Sequence, residues 1–127
     1  MVAHGLKPHN VLLDIACGSL RAGVHFINYL EKSNYLGLDQ EKELIIRGVE
    51  EELTKDKEIE KQPQFIINSN FDFTNFSKVP DYAIAQSLFT HLVEKDIIKC
   101  LKNLKSFIGN KQFELYSTYK IEKDVAL

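Results

Sequence analysis

The stretch from Val11 to Gly23, VLLDIACGSLRAG, constrains the fold more than any other part of the chain. It passes from an apolar run of buried-strand character through a turn of small residues into an amphipathic helical pattern. A second short apolar run follows and closes on an acid, Leu36-Gly37-Leu38-Asp39. Strand, tight turn, helix and a second strand ending at a carboxylate is how α/β sheets hold a nucleoside. Small residues at Ala16 and Gly18 let the backbone approach a ligand that a side chain would block. Asp39, one strand over, is placed to accept from both hydroxyls of a ribose.

The rest of the chain continues the alternation. The first strand, Asn10 to Ala16, follows Pro8 and is apolar on both faces, as a central parallel strand covered on both sides requires. Val24, Ile27 and Leu30 mark a helix over about Ala22 to Glu31, and Tyr35 to Asp39 is the second strand. Gln40 to Lys55 reads as a helix with Leu44, Ile45, Val49 and Leu53 on one face. Acids crowd its first turn and complement the helix dipole. Lys55 to Pro63 reads as a charged, solvated connection. Gln64 to Asn68 and Asp81 to Gln86 are the third and fourth strands, separated by an aromatic, turn-rich segment from Asn70 to Val79. Val93 to Ile108 carries Ile97, Ile98, Leu101, Leu104 and Ile108 on one stripe and stops at Gly109-Asn110. Gln112 to Tyr119 is a fifth strand. This order predicts a Rossmann-like, doubly wound parallel sheet of about five strands with helices on both faces.

Composition narrows the class further. With 127 residues, 44% of them hydrophobic and 27% charged, the chain is expected to be one soluble globular domain over residues 1–127. A net charge of −2 gives no general attraction to nucleic acid or to an anionic membrane. Two isolated cysteines, Cys17 and Cys100, fit a reducing compartment. The four histidines make no metal-spaced cluster. No basic, apolar leader opens the chain, and no apolar run approaches the roughly 20 residues of a membrane span. The default expectation is a cytoplasmic, metal-free protein.

Two cofactors use such a strand–turn–helix layout, nicotinamide dinucleotides and S-adenosylmethionine. The dinucleotide fingerprint needs three glycines at G-x-G-x-x-G. Here Ala16 takes the first place, Gly18 the second and Arg21 the third. Arginine is a poor choice where the helix must press against the strand, so the nicotinamide reading loses on its own motif.

The pattern resembles the class I S-adenosylmethionine-dependent methyltransferases. Their first motif, an acid followed by small residues and glycines, is matched by Asp14-Ile15-Ala16-Cys17-Gly18-Ser19-Leu20-Arg21-Ala22-Gly23. Their acid closing the second strand is matched by Asp39. Their segment at the end of the fourth strand is matched loosely by Asp81 to Leu92, DYAIAQSLFTHL. The resemblance runs from Val11 to about Tyr119 and implies S-adenosylmethionine as cofactor, S-adenosylhomocysteine as product and a small-molecule methyl acceptor.

It also implies roles for particular residues. Ala16 and Gly18, with Cys17 between them, would border the methionine and ribose parts. Asp14 would orient the loop and, directly or through water, the amino group. Asp39 would hold the ribose hydroxyls, and Gln40 would border the adenine. Phe71 would wall the adenine pocket, and Asp72 would accept from the exocyclic amine. The Gln86 backbone would face the methionine, Arg21 would meet its carboxylate, and His91 would serve as a general base on an acceptor. The family sheet has seven strands in the order 3-2-1-4-5-7-6, so this chain is expected to lack the strand 6/7 hairpin and most of the acceptor half of the site. Ala16 stands where a glycine is common, which is tolerable if the backbone there has ordinary dihedrals.

Simpler roles stand beside these. Gly18 suits any strand-to-helix turn, and Asp39 suits a helix N-cap. Asp14 needs a hydrogen bond merely to be buried. Asp72 suits a turn, Arg21 a solvated helix turn, and His91 an idle helix entry. Phe71, Phe73 and Phe76 suit a satellite core under a loop. Cys17 has no neighbouring base and reads as a turn residue rather than a nucleophile. At the level of the whole chain, the alternative to a methyltransferase is a catalytically incomplete module that keeps the nucleoside pocket and pairs through its exposed sheet edge, as a homo-oligomer or with a partner. The motif Asn/Asp-Pro-Pro-Tyr/Phe is absent after the fourth strand, which argues against nucleic-acid amines as acceptors.

Overall fold

The computed structural model of the chain describes residues 5–85 and 92–117. β1 (Leu12–Ile15), β2 (Tyr35–Asp39), β3 (Gln64–Ile67), β4 (Tyr82–Ala85) and β5 (Glu114–Ser117) form one sheet in the order β3-β2-β1-β4-β5. All four pairings are parallel, as the alternation with helices requires. The register sets Asp14 beside Gly37 and Asp39 beside Ile67. The carboxyl ends of β1, β2 and β3 therefore finish at one level.

Side-chain alternation along β1 divides the core in two. Leu13 and Ile15 point to one face, where they pack with Leu38, Ala83 and Phe73 beneath Cys100, Leu104 and Ile108 of α4 (Glu94–Ile108). Leu12 points to the other, where it packs with Leu20, Tyr35 and Leu53 and with Ile27 of α1 (Gly23–Tyr29). Full burial of such side chains stabilises by about 1.5–3 kcal/mol each. The doubly covered sheet that the sequence predicts is thus present.

Three details depart from the sequence reading. The second helix, α2 (Lys42–Glu52), ends before Leu53. The expected solvated connection is in fact a helix, α3 (Lys55–Lys61), with no buried residue. It lacks an apolar stripe, and its ends define it instead. Thr54 accepts from the Lys57 N–H at 3.1 Å, Asp56 and Glu58 occupy the first turn, and Gln62 closes it in a left-handed conformation. On α4, Ile98 and Leu101 are 44% and 39% exposed, and the fully buried place in the stripe falls to Cys100. Among the described residues, no helix is long and apolar enough to cross a membrane.

Candidate functional site

The turn after β1 is fixed from below and from the side. Ala16 and Cys17 both donate backbone N–H to the Leu38 carbonyl, at 2.7 and 3.0 Å, which carries the β1–β2 contact past the end of β1. The chain then takes left-handed dihedrals at every second residue: Ala16 (φ 66), Gly18 (φ 57) and Leu20 (φ 67). Ala16 therefore does not meet the condition of ordinary dihedrals under which an alanine is easily tolerated there. The paired N–H groups of Ala16 and Cys17 hold it in a conformation that glycine adopts more readily.

Asp39 closes the turn. Its Oδ2 accepts from the Gly18 N–H at 2.8 Å, and its Oδ1 accepts from the Glu41 N–H at 2.8 Å. One carboxylate thus fastens the turn to the entry of α2. A carboxylate offers about four acceptor positions, so these two bonds leave capacity for a ligand. On the far side α2 presses directly on the turn. A Cβ added to Gly48 would lie 2.5 Å from the Ser19 carbonyl oxygen, so only glycine fits there.

Beneath the turn lies a buried polar pair. The Tyr35 hydroxyl donates to Asp14 Oδ2 at 2.5 Å, and both side chains are buried. Burial pushes the Asp14 carboxyl up to about 7; the Tyr35 bond opposes this shift, and the Asp39 charge adds to it. Burial, together with the charges of Asp14 and Asp39, also pushes the Cys17 thiol far up. Cys17 is therefore no thiolate at neutral pH and no nucleophile.

Above the carboxyl ends of β1, β2 and β3 opens a cleft of about 250 Å³. Ala16, Leu38, Asp39 and Gln40 form one side, and Asn68, Ser69 and Phe71 form the other. Leu92, just before α4, and Asp96, in its first turn, complete it. This is where open parallel sheets take their ligands. Carboxylate, amide and hydroxyl groups surround an apolar wall, an arrangement suited to a flat ring bearing a hydroxylated sugar. A second, more open cleft of about 360 Å³ also borders Phe71 and is lined in part by Asn70, Asp72, Thr74, Lys99 and Asn103.

The structure brings four of the residues singled out in the sequence, Ala16, Asp39, Gln40 and Phe71, to the first cleft. Gly18, Cys17 and Asp14 lie in or beneath its turn without lining it. Arg21 is exposed on the approach to α1. Asp72 lines the second cleft, because its Oδ1 accepts from the Thr74 N–H at 2.9 Å and the Thr74 hydroxyl at 2.6 Å. Those bonds hold its carboxyl below the usual range. Phe73 and Phe76 are core residues. Gln86 and His91 lie outside the described residues. Sequence reasoning passed over Asn68, Ser69, Leu92 and Asp96. Asn68 had a usable signal: it directly follows a parallel strand, one residue past Ile67, which pairs with Asp39.

No protein-family model and no curated protein matches the sequence. Solved structures do match it. Magnesium protoporphyrin IX methyltransferase from Synechocystis, with bound SAM, superposes with a TM-score of 0.63 at 17% identity, over 85% of this chain and 49% of its own. The fold is that of the class I S-adenosylmethionine-dependent methyltransferases. Phosphoethanolamine N-methyltransferase 1 from Haemonchus contortus matches at TM-score 0.67 and 15% identity, over 90% of this chain and 24% of its own. A TehB-like SAM-dependent methyltransferase from Corynebacterium glutamicum gives 0.66 and 16%, over 90% and 57%. The chain spans about half the length of the magnesium protoporphyrin IX and TehB-like methyltransferases and about a quarter of the phosphoethanolamine enzyme.

Proposed function

We propose that residues 1–127 form the cofactor-binding domain of an S-adenosylmethionine-dependent methyltransferase that works in the cytoplasm on a small molecule. One observation carries this reading: Asp39 closes β2 at the rim of the cleft, fastens the turn after β1, and keeps acceptor capacity opposite the Phe71 wall. Asp39 would hold the ribose hydroxyls, Phe71 and Leu38 the adenine faces, and Gln40 or Asn68 the adenine edge. Ala16 and Gly18 would leave room for the methionine chain beside Gln86, with Arg21 as partner of its carboxylate. When bound, the cofactor supplies an activated methyl group on a sulfonium, so the protein need furnish no nucleophile. Its residues bind and align. A base such as His91 is needed only for an acceptor that must lose a proton.

Calorimetric titration with S-adenosylmethionine, S-adenosylhomocysteine and NAD tests this. Micromolar binding of the first two and none of NAD is the expected result. Binding of none of the three by the folded protein would remove the cofactor reading. A second reading is a binding module without turnover. It keeps the same pocket and uses the β5 side of the sheet, where β4 is the only described neighbour, to join a second copy or a partner. Cofactor binding without conversion, whatever amine, hydroxyl or thiol acceptor is offered, would favour it.

A further inference from the structure

We infer that Asn103, on α4, is a positioning residue that sets the Phe71 wall of the cleft; this rests on the nucleoside reading of that cleft. Its Nδ2 donates to the Asn70 carbonyl at 3.1 Å and to the Phe71 carbonyl at 3.0 Å. These carbonyls belong to the two peptide planes that flank Phe71. One amide group, with its two hydrogens, therefore fixes both dihedrals of that residue. The conformation it fixes is left-handed, φ 56, which a phenylalanine does not hold unaided.

The other polar bonds of this loop are local. Asn68 Oδ1 accepts from the Asn70 and Asp72 N–H groups at 3.3 and 3.2 Å, and Asn68 Nδ2 donates to the Asp72 carbonyl at 3.0 Å. Asp72 caps Thr74. These bonds shape the turn but do not place it against the rest of the molecule. Asn103 does so, from the helix that also brings Asp96 to the cleft two turns earlier. Phe71 lines both the nucleoside cleft and the second cleft. Its placement therefore bears on both. An asparagine in mid-helix contributes little to the helix itself, and its value here lies in the bonds it sends out.

The test is titration with S-adenosylhomocysteine across Asn103→Ala, Asn103→Asp, Phe71→Ala and the Asn103→Ala/Phe71→Ala pair, with melting temperature and amide exchange at Asp72 followed in parallel. Asn103→Ala is expected to weaken binding on the order of tenfold, as two carbonyls lose their donors. Asn103→Asp should weaken it further, because it sets oxygen against oxygen. The double variant should bind no more weakly than Phe71→Ala alone, since Asn103 acts through that ring. Asn103→Ala binding as tightly as the parent, with faster exchange or a lower melting temperature, would overturn the inference and leave the cofactor reading intact. Equal, additive losses from the two single changes would overturn it as well. A parent that binds no cofactor overturns the nucleoside reading and the inference with it; unchanged Asp72 exchange in Asn103→Ala would then deny Asn103 any hold on the loop.

Discussion

Across the cleft, the segment after β1 is held by backbone donors gathered on one carboxylate, whereas the segment after β3 is held by side-chain amides. In the first, Asp39 takes the Gly18 and Glu41 N–H groups, and the small residues Ala16 and Gly18 permit the path. In the second, Asn68 and Asn103 work on the backbone around a large side chain, Phe71. The first wall spends side-chain size to gain backbone proximity. The second spends backbone freedom to present a ring. A ligand between them meets main chain and carboxylate on one side and an aromatic face on the other.

Breaking the pair beneath the first wall should give the largest effect. Burial holds the Asp14 carboxyl at about 7 in the folded protein, against an ordinary value of 3.8. Between those values the folded state keeps a proton that the unfolded state has lost, so stability is full below pH 4 and falls as pH rises to about 7. At most, on the order of 4 kcal/mol is lost across that window, at about 1.4 kcal/mol per unit. Asp14→Asn should remove this slope, as urea unfolding from pH 4 to 8 would show; an unchanged slope would deny Asp14 its buried proton.

Next comes Asp39→Ala, expected to weaken cofactor binding by on the order of 1.5–3 kcal/mol, the scale of hydrogen bonds to a charged group. Lost folding in place of lost affinity would make Asp39 structural only. Gly18 sharpens the comparison. A Cβ there meets nothing within 4 Å, so a side chain has room, but the φ of 57 penalises it. Gly18→Val should cost about 1–3 kcal/mol in strain and disorder the turn, and cofactor binding should be lost with it. Gly18→Asn, which tolerates left-handed dihedrals, should keep the turn ordered yet still lose affinity, because its side chain enters the space left for the methionine chain. Parent-like binding by Gly18→Asn would mean that the ligand makes no use of that space. In the second wall, Asn68→Ala should cost about 1 kcal/mol and speed proteolysis of the loop.

The contrast also explains what the sequence made legible. The turn after β1 could be read because its constraint is on residue size: Ala16, Gly18 and the closing acid Asp39 are neighbours in a strand–turn–helix–strand run. The sheet could be read because doubly buried strands are continuous apolar runs. α3 escaped because its helix rests on a cap and charges at its ends, not on periodicity. The second wall escaped because its determinants lie far apart in the chain. Nothing near Phe71 announces that Asn103 will reach it, and Asp72, which looked like a ligand, answers to Thr74 two residues on. Gly48 escaped for the same reason: its contact is the Ser19 backbone, 29 positions earlier.

Leu20 carries the left-handed turn into the core: it is fully buried at φ 67. Its conformation costs on the order of 1–3 kcal/mol, which the closing of the sheet's second face must offset. During folding the turn therefore has no stable shape of its own until α1 and β2 have docked around that side chain. The pocket thus forms only together with the packed second face of the sheet. A ligand that fits it would raise the melting temperature of the whole domain rather than of one loop, by mass action on the only state that possesses the site.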